Sequence, residues 1–99
     1  MESIIQKDKT RCFLCGKNTN LEPLDEHHVF FGPYRKISEK YGLKVYLHHD
    51  RCHIFGVNSV HKSAEVNRTL KRIVQKRAMK HYGWTTEQFI EKFGKNYID

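Results

Sequence analysis

Asp25-Glu26-His27-His28-Val29-Phe30-Phe31, closed by Gly32-Pro33, is the stretch on which the reading of this chain turns. Glu26 to Phe31 reads as a strand. Successive strand residues face opposite sides, so His27 and His28 must meet different surroundings. One imidazole can bind a metal while its neighbour stays free, and a free imidazole with a pKa near ~6.5 can take a proton from water. If His27 points inward, Glu26 points away and Asp25 becomes a candidate to orient another imidazole. Downstream, Leu43-Lys44-Val45-Tyr46-Leu47 alternates and predicts a second strand. The two strands can pair antiparallel across the long connection Tyr34 to Gly42, read as a loop with one helical turn before Gly42.

Two clusters with metal-ligand spacing flank this ribbon: Cys12-Phe13-Leu14-Cys15, and His48-His49-Asp50-Arg51-Cys52-His53. The first reads as a knuckle, with Gly16 and Lys17-Asn18 turning the chain back. A closed structural zinc site needs four ligands, usually from two such knuckles. Cys12, Cys15, His49 and Cys52 supply them and use all three thiols; strand alternation decides whether His48 replaces His49. An odd cysteine count argues against a disulfide framework, and no strand-turn-helix context makes Cys12 and Cys15 a redox pair. Of the seven histidines, six lie between positions 27 and 61. His53 follows the knuckle directly and His61 lies where a helix should start. His27, His53 and His61 would therefore make a three-imidazole site with open positions for water and phosphate.

The long helix is predicted from about His61 to Tyr82, with Gly83 at its end. Val66, Leu70, Ile73 and Val74 recur at helical spacing and should face the core. Against one acid, Glu65, the helix carries Lys62, Arg68, Lys71, Arg72, Lys76, Arg77 and Lys80, an imbalance suited to phosphate. A short helix follows from Thr85, whose spacing to Gln88 is that of a capping box. Phe89, Ile90 and Phe93 should pack inward with Trp84, and Gly94 should end the helix.

Ninety-nine residues make one α+β domain with no room for a second core. Within it, residues 1–10 are expected as a flexible polar lead-in, 11–75 as zinc knuckle and ββα core, and 76–99 as the end of the long helix and a C-terminal helix. Only 38% of residues are hydrophobic, so a metal staple would add stability that a thin core lacks. The start is too polar for a signal peptide, and no apolar run approaches the roughly 20 residues that span a bilayer. A reducing, cytoplasmic setting without membrane contact is expected. The net charge of +7 favours polyanions through counterion release.

The run Cys12-x2-Cys15, then His27-His28, then Leu47-x-His49-x2-Cys52-His53 and a following helix resembles the HNH endonucleases, a ββα-metal family. The resemblance covers about residues 12 to 75 and implies a metal-dependent phosphodiester hydrolase acting on DNA. Carried over, His27 is a metal ligand, His28 the general base, and His53 a second ligand. A narrower likeness, to a phage subfamily that includes RecA-dependent recombination nucleases, rests on His27-His28-Val29-Phe30-Phe31-Gly32, the run Arg35-Lys36-x-Ser38 to Leu47, and Val60-His61. It implies a recombinase filament or another phage or host protein as partner, inside a bacterial host cell. Two departures stand out. No Asn lies between Asn20 and Asn58, so the bracing role of the family's middle Asn is unfilled or passes to another residue, such as Lys44 or Tyr46. His53 and His61 lie eight apart, whereas related all-His sites often use a spacing of four on one helix.

The implied cofactors are a structural Zn²⁺ and a catalytic divalent ion: Zn²⁺, Ni²⁺, Co²⁺ or Mn²⁺, with an imidazole set less suited to Mg²⁺ alone. Arg35, Lys36, Arg68, Lys71 and Arg72 are the expected DNA contacts. Two rivals remain: a non-catalytic zinc-stabilised DNA-binding module and a zinc-stabilised protein-interaction module. Neither needs a free base beside a ligand.

Overall fold

The computed structural model describes residues 1–16, 23–54 and 59–98; the turn expected at Lys17-Asn18 and part of the one expected between Cys52 and Ser59 lie outside them. Strand β1 (Leu24–His28) and strand β2 (Lys44–His48) form a two-stranded antiparallel sheet. Between them run a 3₁₀ turn (Gly32–Tyr34) and helix α1 (Arg35–Lys40). A single π-helical turn (His49–Ile54) follows β2, then α2 (Ala64–Tyr82) and α3 (Thr86–Phe93). The domain is thus α+β.

Strand β1 starts two residues earlier than expected and ends at His28, because Val29 and Phe30 already turn into the core. The connection holds more helix than expected: Pro33 opens the 3₁₀ turn, and α1 follows it directly. Register sets the faces of the sheet. Asp25 opposes Leu47 and His27 opposes Val45, while Glu26 opposes Tyr46 and His28 opposes Lys44. Cross-strand partners share a face, so Asp25 and His27 lie on one side, Glu26 and His28 on the other.

Helix α2 begins at Ala64 rather than His61, because the Ser63 hydroxyl caps it by accepting from the Val66 N–H at 3.2 Å. Gly83 closes it in the left-handed region, φ +70°. The Thr85 and Gln88 side chains make both capping-box hydrogen bonds, at 2.9 and 3.1 Å, and Gly94 ends α3. Leu70 and Val74 are buried and Val66 half-buried as expected, but Ile73 is exposed. Ile90 is exposed too, since Phe89 and Phe93 take the inward positions and close on Phe30 at ring-centroid distances of 5.3 and 4.6 Å.

The first ten residues differ from the loose lead-in expected. The Ser3 hydroxyl donates to the Lys44 carbonyl at 2.5 Å, the Ile4 N–H donates to Gly42 at 3.0 Å, and Ile5 joins the core. The Gln6 side chain accepts the Tyr46 N–H at 2.8 Å. One backbone acceptor and one donor of β2, the Lys44 carbonyl and the Tyr46 N–H, are thereby satisfied. Among the described residues, no helix is long and apolar enough to cross a membrane.

Candidate metal centres

The Cys12, Cys15, His48 and Cys52 side chains bring one ligand atom each to within 4.8 Å of one another. His48 Nδ1 lies 3.2 Å from Cys15 Sγ and 4.0 Å from Cys52 Sγ. Those values bracket the about 3.5 Å separating nitrogen and sulfur on a tetrahedral zinc, given Zn–N near 2.0 Å and Zn–S near 2.3 Å. Burial, and then the Cys12 thiol, push the Cys52 thiol up to about 12. Crowded thiols, here two buried (Cys12, Cys52) and one exposed (Cys15), are poor neighbours without a cation and good ligands with one. The donor set therefore fits a metal such as zinc, held by three cysteines and one histidine.

His48, not His49, completes this cluster. His48 is the last residue of β2 and fully buried, whereas His49 opens the π-helical turn and swings its ring out to Asp25, Nδ1 to Oδ2 2.5 Å. Alternation alone could not settle the choice, because the strand ends between the two.

The second cluster contains His27, His53 and His61. β1 supplies His27, the π-helical turn His53, and the turn before α2 His61. His53 Nε2 and His61 Nε2 stand 3.2 Å apart, close to the about 3.3 Å expected for two imidazoles on one tetrahedral zinc. His53 Nδ1 lies 2.9 Å from Asp25 Oδ2. Donation from Nδ1–H to this carboxylate leaves the Nε2 lone pair aimed at the cluster, the arrangement that orients ligand histidines. Burial opposes the Asp25 charge, but hydrogen bonds from His53 and then His49 outweigh it and lower the carboxyl pKa.

His27 is buried, and its Nε2 has no hydrogen-bond partner. Such an atom is costly unless something unseen satisfies it. Burial first, then His53, His61, His28 and Lys71, bring the His27 pKa down to about 3; burial and then His53 lower that of His61. Neutral imidazoles converging with inward lone pairs suit a divalent cation.

His28 sits across the sheet from these lone pairs, yet borders the same cavity at the end of β1. This cavity, about 190 Å³, is lined by Glu26, His27, His28, Phe31, Arg35, His53 and His61. His28 Nε2 lies 2.8 Å from Glu39 Oε1 and 3.7 Å from Glu26. Lys44, nearly buried, holds both Glu39 oxygens at 3.1 Å and Glu26 at 3.4 Å. The Met1 amino group, then His28 and Lys44, bring Glu39 down to about 2. Glu26, His28 and Glu39 could also be taken for a ligand group, but the Lys44 ammonium already occupies the cation position among the carboxylates.

Glu39 was not singled out by the sequence reading. Its signal was faint: an acid in a basic connection, placed beside His28 only by the fold of α1. Lys44, one of the two residues considered for a bracing role, does reach this site through Glu39; the Tyr46 backbone instead engages Gln6. Of the expected DNA contacts, Arg35 lines the cavity, whereas Lys36 is exposed on α1 and does not. Arg68, Lys71 and Arg72 lie along α2. No protein-family model, curated protein or solved structure matches this chain.

Proposed function

We propose that the chain is a metal-dependent DNA endonuclease of the HNH, ββα-metal type, with His28 as general base. One observation carries the reading: adjacent imidazoles border one cavity with opposite chemical readiness. His27 presents an unpartnered Nε2 to two further Nε2 atoms, while His28 is held through Nε2 by a carboxylate. Neither a binding module nor a protein-interaction domain needs that division.

In this reading Glu39 accepts the His28 Nε2–H and leaves Nδ1 as the basic nitrogen. Lys44 and Glu26 hold Glu39 and the ring in place, standing in for the missing Asn. His28 Nδ1 takes a proton from a water aligned opposite the scissile P–O bond. His27, His53 and His61 would hold a divalent cation, which when bound offsets the negative charge growing on the phosphate and on the departing 3′ oxygen. Arg35, at the cavity wall, steadies a non-bridging phosphate oxygen. Cys12, Cys15, His48 and Cys52 hold zinc for structure. The narrower phage recombination-nuclease likeness extends the proposal to a recombinase filament as targeting partner in a bacterial cytoplasm.

The test combines metal content per chain by mass spectrometry with plasmid cleavage across Zn²⁺, Ni²⁺, Co²⁺, Mn²⁺ and Mg²⁺. Two metals per chain and strand scission are expected. His28→Ala should slow cleavage by about 10²–10⁴-fold while both metals and DNA binding persist. Cleavage by His28→Ala at the parent rate would remove the base assignment. One metal and no scission with any cation would replace the enzyme by a zinc-stabilised binding module.

A further inference from the structure

Beside the three-imidazole cavity, Lys71 bridges two aromatic faces. Its Nζ lies 4.6 Å from the Phe31 ring centroid and 5.2 Å from that of Tyr97. Phe31 is a wall of the cavity, 5.2 Å from His61 and 5.8 Å from His27 between ring centroids. Tyr97 belongs to the segment after α3, and Lys95 Nζ stands 5.5 Å from the same ring. Arg68, Lys71, Lys95 and Tyr97 line an open cleft of about 520 Å³.

The C-terminal segment is fixed there. The fully buried Gln75 accepts the Tyr97 N–H at 2.8 Å and donates to Asn96 Oδ1 at 2.8 Å, and Arg72 donates to the Tyr97 carbonyl at 3.3 Å. Lys95 is thus carried to α2 by a built connection. Arg68, Lys71 and Lys95 make no ion pair among the described residues, and Glu65 is the one acid on the described rim. Burial and then Lys95 lower the Lys71 pKa, as like charges do when no anion separates them.

We propose that this cleft is a phosphate-binding subsite for a nucleic-acid backbone, seating a phosphate that flanks the one at the imidazole cluster, with Arg68, Lys71 and Lys95 as its cations. The proposal rests on the nuclease reading and adds to it a place for the strand beyond the cut. Continuity selects the ligand. Lys71 lines the cleft while its ammonium rests on Phe31, a wall of the cavity, and successive phosphates of a strand advance about 3.4 Å along a duplex axis. A chain of phosphates therefore occupies both, whereas a small anion would need one.

Fluorescence anisotropy with a labelled DNA duplex tests this, using the zinc-loaded full chain carrying His28→Ala so that binding is read without cleavage. Lys71→Gln and Lys95→Gln should each weaken binding by roughly tenfold, the worth of one charge-assisted contact, and reduce the salt slope by about one. Lys71→Arg should restore affinity. Lys80→Gln, an equal loss of charge outside the cleft, should leave affinity within about twofold. A duplex with methylphosphonates beside the cutting position should erase the difference between the Lys95→Gln chain and its parent. Equal losses for all three lysines, or an undiminished Lys95→Gln effect on the neutralised duplex, would overturn the subsite. Plasmid cleavage by the chain with intact His28 is scored separately. Cleavage without the lysine effects sinks the subsite alone, and the lysine effects without cleavage sink the nuclease reading alone. A chain that neither binds nor cuts DNA loses both.

Discussion

Replacing His48 by Ala should strip the zinc from the thiol cluster, while replacing His49 by Ala should not. His48 brings a buried Nδ1 to the thiols of Cys15 and Cys52, whereas His49 is 46% exposed and turned to Asp25. Zinc in such clusters contributes on the order of 10–16 kcal/mol, against a total stability of about 5–15 kcal/mol for a domain. Shared over four ligands, one imidazole represents about 2.5–4 kcal/mol, or two to three orders of magnitude in affinity. That share is a large fraction of the margin of folding. His49→Ala instead removes one partly exposed pair with Asp25, worth at most about 1 kcal/mol. Zinc content after dialysis against a competing chelator, read with a thermal melt of each variant, separates the two. Zinc binding should also release protons, because the Cys52 thiol, pushed up to about 12, is protonated at neutral pH in the metal-free chain. Calorimetry in buffers of different ionisation heat measures that release. Zinc retained by the His48→Ala chain and lost from the His49→Ala chain would refute the ligand assignment and the strand-end argument behind it.

Three further outcomes follow from the geometry. Asp25→Asn should weaken the second metal by about 10–100-fold and leave the first in place, as read by mass spectrometry at limiting metal; unchanged affinity would mean that Asp25 does not set the His53 ring. Lys44 gives a pH signature. Burial opposes its charge, but Glu39 and Glu26 outweigh that and raise its pKa, so its stabilisation is complete below the unfolded value near ~10.4 and is lost as pH climbs through the folded one. Lys44→Met should consequently flatten the alkaline limb of stability in urea melts taken across pH, and an identical limb would contradict the ion pair. Gly42→Ala should cost about 1–2 kcal/mol for a left-handed backbone at φ +70°, and more because the new Cβ would meet the Glu2 carbonyl; a melt within a few tenths of a kcal/mol of the parent would show the first residues free to move aside.

The ligand spacing, the strand alternation at His27-His28 and the helix caps at Gly83, Thr85 and Gly94 were legible because each depends on residues close in sequence. Asp25 was legible too, as the acid two positions before His27 on the same face. The choice between His48 and His49 was not, since it depends on where β2 stops and a π-helical turn begins. Glu39 escaped because α1 carries it back to His28 across eleven residues. Lys95 and Tyr97 escaped for a related reason: they are brought to α2 by the buried Gln75 amide, reaching two residues of the C-terminal segment, and by Arg72 on the Tyr97 carbonyl. Ile73 and Ile90 match a helical apolar pattern, yet neighbours on the same faces filled the available core first.

Cys52 and His53 are consecutive residues of one short turn, and they serve different clusters. A soft poison such as cadmium or mercury, seizing the thiols in a distorted geometry, would therefore drag an imidazole out of place without touching it.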